Sequence, residues 1–172
     1  SPYEFYQFWL NTGDADVVKY LKIFTFLSRE TIEALEEKVA TEAHLREAQK
    51  TLASEMTKLI HGEEGLEQAL KITAALFSGD LKALSVEEMK VAFSGVPSVE
   101  VAKEDANIVD LLVEAKISSS KRQAREDVTN GAISVNGEKV KELDYTVDTK
   151  DRLEDAFTII RRGKKKYFLL TF

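Results

Sequence analysis

The hydrophobic period of this chain changes partway along, and that change limits what it can fold into. Through residues 1–79 apolar side chains recur every three or four positions. Val17, Val18, Leu21, Phe24 and Leu27 form one series, Ile32, Leu35 and Val39 a second, and Leu45, Ala48, Leu52, Met56 and Leu59 a third. Such spacing predicts helices with one buried stripe each. From Gly131 onward the period falls to two. Ile133 and Val135 point one way, and Asn136-Gly137 behind them is the strongest short hairpin signal a sequence offers. The expectation is an α+β chain: an all-α domain over residues 1–79, then a small α+β domain over residues 80–172.

Punctuation supports that division. Ser1-Pro2 suits a helix start, and Asp14 or Thr12 can cap the next helix. Ser28 opens a third helix, whose phase slips near Thr41. His61-Gly62 ends the fourth, and Ser78-Gly79 stops the helix from Leu66 to Phe77. Beyond Gly79, Ser85-Val86-Glu87-Glu88 reads as a capping box. Gly95-Val96-Pro97 precedes a candidate strand from Ser98 to Val101. Ile108 to Lys116 reads as a short amphipathic helix, and a serine run, 118–120, caps another that reaches Asn130-Gly131. A last hairpin pairs Phe157–Arg162 with Lys165–Phe172.

Several chemistries are excluded by what is missing. The 172 residues contain no cysteine and two histidines, His44 and His61, so disulfides, thiolate metal sites and Cys nucleophiles are out. No glycine-rich phosphate loop, nucleophile elbow or His-Glu-x-x-His zinc helix occurs. The pairs Glu63-Glu64 and Glu87-Glu88 sit at helix starts, where they complement the dipole. The chain therefore has no catalytic, cofactor-binding or metal-binding candidates. No apolar run is long enough to span a bilayer, and the start, rich in acid and aromatics, is unlike a secretory signal. A cytoplasmic protein without a membrane partner is expected.

The net charge of -6 hides a basic end: residues 106–172 carry 13 Lys and Arg against 11 Asp and Glu. Lys121, Arg122 and Arg125 follow Ser119 and Ser120 in the first turns of a helix. A helix N-terminus already carries partial positive charge, so cations there cost stability unless an anion meets them. The backbone N–H groups and serine hydroxyls at that end suit phosphate. Arg161, Arg162, Lys164, Lys165 and Lys166 form a second cluster around a hairpin turn. Charge runs also serve merely to solvate a surface or guard an edge strand. Two clusters in one small module favour binding a polyanion.

The order of elements also carries a resemblance. Ile108 to Ala115, then Ser120 to Ala124, then Gly131 to Gly137 resembles the S-four-like RNA-binding module, its core here at 107–172. Upstream, YEFYQFWLNTGDADVVKYLKIFTFLS with EMTKLIHGEEGLEQAL and ALFSGD resembles the anticodon-binding helical region of bacterial-type tyrosyl-tRNA synthetases, so the likeness covers nearly the whole chain. The resemblance implies the tRNA-binding C-terminal portion of a class I tyrosine–tRNA ligase. It implies RNA contact through Ser119, Ser120, Lys121, Arg122, Arg125, Arg161, Arg162, Lys164 and Lys165. ATP and tyrosine would bind a catalytic domain absent from this chain, which should be inactive alone. That domain would be a partner and the natural cover for the aromatic start, Tyr3 to Trp9. The fragment is expected to be a monomer and the full ligase a homodimer. A stand-alone RNA-binding protein acting at the ribosome, or an acidic helical adaptor, remain as alternatives.

Overall fold

Helix α1 (Pro2–Leu10) begins where the sequence can satisfy its free N–H groups. Ser1 Oγ accepts from the Glu4 N–H at 3.2 Å, the Glu4 carboxylate reaches back to the Ser1 nitrogen, and Pro2 needs no donor partner. These details come from a computed structural model that describes residues 1–101, 105–164 and 166–171. Helix α2 (Asp14–Phe24) has Gly13 at its N-cap and no side-chain cap bond. Neither Thr12 nor Asp14 caps it, contrary to expectation. The Asp14 carboxylate instead accepts from the buried Gln49 amide at 2.6 Å, and the Thr12 carbonyl accepts from Arg46 at 3.2 Å. Helix α3 (Arg29–Glu42) starts at Ser28, whose Oγ accepts from the Thr31 N–H. The slip near Thr41 becomes a single 3-10 turn over Ala43–Leu45, closed by Arg46 in the left-handed region. Helix α4 (Glu47–Ser78) then follows, broken at Gly62.

The chain divides into two compact units, residues 1–74 and 75–172. In the first, Val17, Leu21, Ile32, Leu35, Ala48, Leu52 and Met56 form one buried cluster, and Tyr6, Ala53 and Ala69 a smaller one. Each fully buried Leu or Ile contributes about 1.5–3 kcal/mol. Most of the aromatic start is spent here. Tyr6 is buried, and Trp9 makes edge contacts with Phe5, Phe8, Tyr20 and Phe24 at centroid distances of 5.3–6.3 Å. Phe8 alone of this group is largely exposed, at 70%. The expectation that the whole stretch awaits an outside cover is thus corrected, since α2 and α4 supply apolar neighbours within the unit.

The second unit is α+β. After a 3-10 turn and the short helix α5 (Val86–Ala92), capped by the predicted Ser85–Glu88 box, the chain forms β1 (Ser98–Glu100). Next come β2 (Ala106–Asn107), α6 (Ile108–Glu114), α7 (Lys121–Thr129), β3 (Ile133–Val135) and β4 (Glu138–Val140). Strands β5 (Thr146–Val147), β6 (Phe157–Arg162) and β7 (Lys166–Thr171) complete it. Five strands make one sheet in the order β1-β7-β6-β3-β4, antiparallel except for β1 with β7, while β2 and β5 pair separately. One core joins Ile108, Leu111 and Leu112 of α6, Ala124 and Val128 of α7, and Ile133, Val135, Ile160 and Leu170 of the sheet. The β3–β4 turn has positive φ at both Asn136 and Gly137, the combination a two-residue hairpin requires. Asn136 also reaches across the turn, donating to the Asp151 carbonyl at 2.6 Å and accepting from the Ile159 N–H at 2.9 Å.

Candidate nucleic-acid interface

Helix α7 is placed by a buried carboxylate. Asp127 accepts from Ser118 Oγ at 2.9 Å, from Gln123 Nε2 at 3.1 Å and from Arg162 Nε at 2.9 Å. Ala124, Asp127 and Val128 face inward as a result, and the other face of the helix carries Lys121, Arg122 and Arg125, all exposed. Ser120 is the N-cap, its Oγ accepting from the Gln123 N–H at 3.2 Å, and Ser119 lies exposed just before it. No acid occupies the first turn. Lys121 is paired with Asp110 of α6 at 2.7 Å, in a pair that is more than half exposed and so worth little. Arg122 and Arg125 have no ion-pair partner among the described residues. Two guanidinium groups one turn apart, beside a capped helix start, present fork-shaped donors to an anion.

Strand register separates the second cluster into two roles. Side chains alternate faces along a strand, and those of directly opposed residues share a face. Arg162 stands opposite Ile133 and therefore turns to the core side, where it meets Asp127 and donates to the Ile117 carbonyl at 2.6 Å. Arg161 stands opposite Ser134 and turns to the other side. There a row runs across four strands: Tyr167 on β7, Arg161 on β6, Ser134 on β3 and Lys139 on β4. Arg161 Nη2 lies 3.5 Å from Ser134 Oγ, and its guanidinium is so close over Gly79 that a Cβ there would overlap it. Lys164 is exposed in the β6–β7 turn, and Lys165 falls outside the described residues.

The structure thus brings Ser119, Ser120, Lys121, Arg122 and Arg125 together at the start of α7 and on its outer face, and Arg161 and Lys164 on the far side of the sheet. Arg162 joins the two parts internally. Reading the sequence missed Lys139 and Tyr167. The alternation Ser134, Asn136 against Ile133, Val135 carried the signal, but the partner strand had to be known to use it. Near this row Lys82 pairs with Glu138, and that ammonium holds the Glu138 carboxyl below the usual carboxylate range.

Residues 88–170 match the family model described as the tyrosine–tRNA ligase SYY-like C-terminal domain, and residues 1–78 match that of the class I tRNA synthetases (W and Y). Over 172 residues the chain is 65% identical to tyrosine–tRNA ligase 1 of Bacillus anthracis. Over 173 it is 60% identical to tyrosine–tRNA ligase 1 of Bacillus subtilis (strain 168). Both alignments take in 100% of this chain and 41% of the relative, so the chain spans well under half the length of the proteins it matches. A solution structure of a tyrosyl-tRNA synthetase C-terminal domain is 51% identical, with a TM-score of 0.44, over 56% of this chain and 98% of that one.

Proposed function

The chain belongs to the tyrosine–tRNA ligase family, as its C-terminal part, and we propose from that premise that it is the portion with which such a ligase holds tRNA. The single observation that carries the reading is the outward face of α7. Arg122 and Arg125 stand exposed, without ion-pair partners among the described residues, at the one end of a helix where unopposed cations are costly. A phosphate backbone removes that cost. Lys121, Arg161 and Lys164 add charge from the same unit, and Ser119 and Ser120 add hydroxyl donors beside the helix start. The contacts read shape and backbone more than base edges, because A-form grooves hide those edges.

The partner chemistry follows from the same proposal. ATP and tyrosine bind a catalytic portion of the ligase outside these residues, and joining tyrosine to tRNA is the work of the whole enzyme. This chain alone makes no tyrosyl-adenylate. The catalytic portion also covers the exposed Phe8, Phe24, Phe26 and Leu59 of the helical unit. The isolated chain is monomeric, since the contacts that make a homodimer of the full ligase lie in that portion, and the setting is the cytoplasm. Among the described residues no helix is long and apolar enough to cross a membrane.

Filter binding of a tyrosine tRNA transcript over a range of salt concentrations tests the reading. Each phosphate contact contributes a slope of roughly -0.7 to -0.9 in log K against log salt, so five contacts give about -4. Arg122→Ala with Arg125→Ala should weaken binding and flatten the slope by about 1.5 to 2. Unaltered affinity and slope in that variant would make the basic face ordinary solvated surface.

A further inference from the structure

On the sheet side away from α7 lies a hollow of about 630 Å³, within the range of about 300–1,000 Å³ that holds small ligands. Its polar lining is Ser78, Ser134, Lys139, Arg161 and Lys164, with no carboxylate among the lining residues. Ser134 is 2% exposed, and Arg161 Nε is buried with no hydrogen-bond partner among the described residues. Lys139 and Lys164 are exposed, and neither has an ion-pair partner among the described residues. The hollow therefore offers a set of cationic donors that have no ion-pair partner among the described residues.

The other wall is apolar and unusual. Phe77 is 94% exposed at the end of α4. Its backbone is nonetheless held. The Tyr167 hydroxyl donates to the Leu76 carbonyl at 3.2 Å, and the Gly79 N–H donates to the Ala75 carbonyl at 2.8 Å. Gly79, at φ 80°, lets Arg161 pass over it where any side chain would block the way. A phenyl ring on a fixed turn, facing water beside three cations, suits a ligand with a flat apolar face and a negative charge close by. A nucleotide has both. In a duplex the faces of a base are covered by its neighbours, so the nucleotide must be unpaired.

We propose that this hollow receives one unpaired nucleotide of the bound RNA, its base stacked on Phe77 and its phosphate held by Lys139, Arg161 and Lys164. The inference rests on the reading of this chain as tRNA-binding and adds to it a second contact surface with a different mode of recognition. Stacking and charge neutralisation leave separate signatures. Loss of a stacked base costs affinity without releasing fewer counterions, whereas loss of a phosphate contact flattens the salt dependence.

The experiment titrates the chain with two probes, the tyrosine tRNA transcript and a blunt RNA duplex with no unpaired nucleotide. Phe77→Leu should weaken tRNA binding roughly fivefold to a hundredfold with the salt slope unchanged, and should leave duplex binding unchanged. Phe77→Trp should retain tRNA affinity. Lys139→Ala with Lys164→Ala should weaken tRNA binding and flatten the slope by roughly 1.5. Wild-type tRNA affinity in Phe77→Leu, or equal loss on both probes, overturns the proposal. So does loss of affinity in Phe77→Trp as large as in Phe77→Leu. If Arg122→Ala with Arg125→Ala weakens tRNA binding while Phe77→Leu does not, the nucleotide hollow falls and the tRNA-binding reading stands. If the unaltered chain fails to bind the transcript, the earlier reading falls first.

Discussion

Arg161 and Arg162 are neighbours in sequence and have nothing else in common. One is on the core side with a carboxylate and a carbonyl as partners; the other is on the opposite side against a glycine. Composition treats them as equal members of a basic cluster, and only the register of β6 against β3 tells them apart. The carboxylate that makes the difference is Asp127, which accepts hydrogen bonds from three side chains at once. Asp127→Ala leaves a hydroxyl, an amide and a guanidinium without their acceptor in a mostly buried place. That should cost about 2–4 kcal/mol. Urea denaturation should show a lower midpoint with an unchanged slope. Arg125→Ala, on the exposed face of the same helix, should stay within about 0.5 kcal/mol of the parent. Equal midpoints for Asp127→Ala and the parent would remove the carboxylate from its organising role.

At the scale of elements, local chemistry wrote the helices plainly. The capping boxes at Ser1 and Ser85, the cap at Ser28, the slip at Thr41 and the break at Gly62 are each set by a few adjacent residues. Gly62 shows how local such a signal is. Its φ of 74° and ψ of -178° lie in a region open essentially to glycine, and apart from its own stretch of chain no heavy atom lies within 4 Å of where a Cβ would point. Gly62→Ala should therefore cost about 1–3 kcal/mol through the backbone alone. Gly13→Ala, at φ -68° with equally open space, should cost far less. Matched thermal melts of the two variants decide the point, and equal losses would contradict it. Sheet pairing was less legible. The Asn136-Gly137 turn announced β3 and β4, whereas the parallel pairing of β1 with β7 joins residues some 70 positions apart. The β2–β5 ladder is two residues long on each side, too short for any period to appear. The floor of the Phe77 hollow was hidden for the same reason, because it is a row of Arg161, Ser134 and Lys139 across three strands and not a stretch of chain.

For the whole molecule, each unit buries its own core and closes its own long loops: Gln7 donates to Thr73 in the helical unit, and Ser98 pairs with Leu169 in the sheet. Separate unfolding is the expected behaviour. Trp9, the sole tryptophan, reports on the helical unit, so its fluorescence transition in urea should not coincide with that of far-ultraviolet circular dichroism. Coincident transitions, with equal calorimetric and van't Hoff enthalpies, would show a single cooperative body. The position of β7 has a consequence for biosynthesis. Of the described strands it is the last in sequence, and it is an interior strand of the sheet, with β6 on one side and β1 on the other. A ribosome can release the helical unit to fold as it emerges, but β1 and β6 must wait with unpaired edges until residues 166–171 are made. A message cut short before those codons yields a chain whose β1 and β6 lack their shared partner, and such a product is expected to aggregate or be degraded.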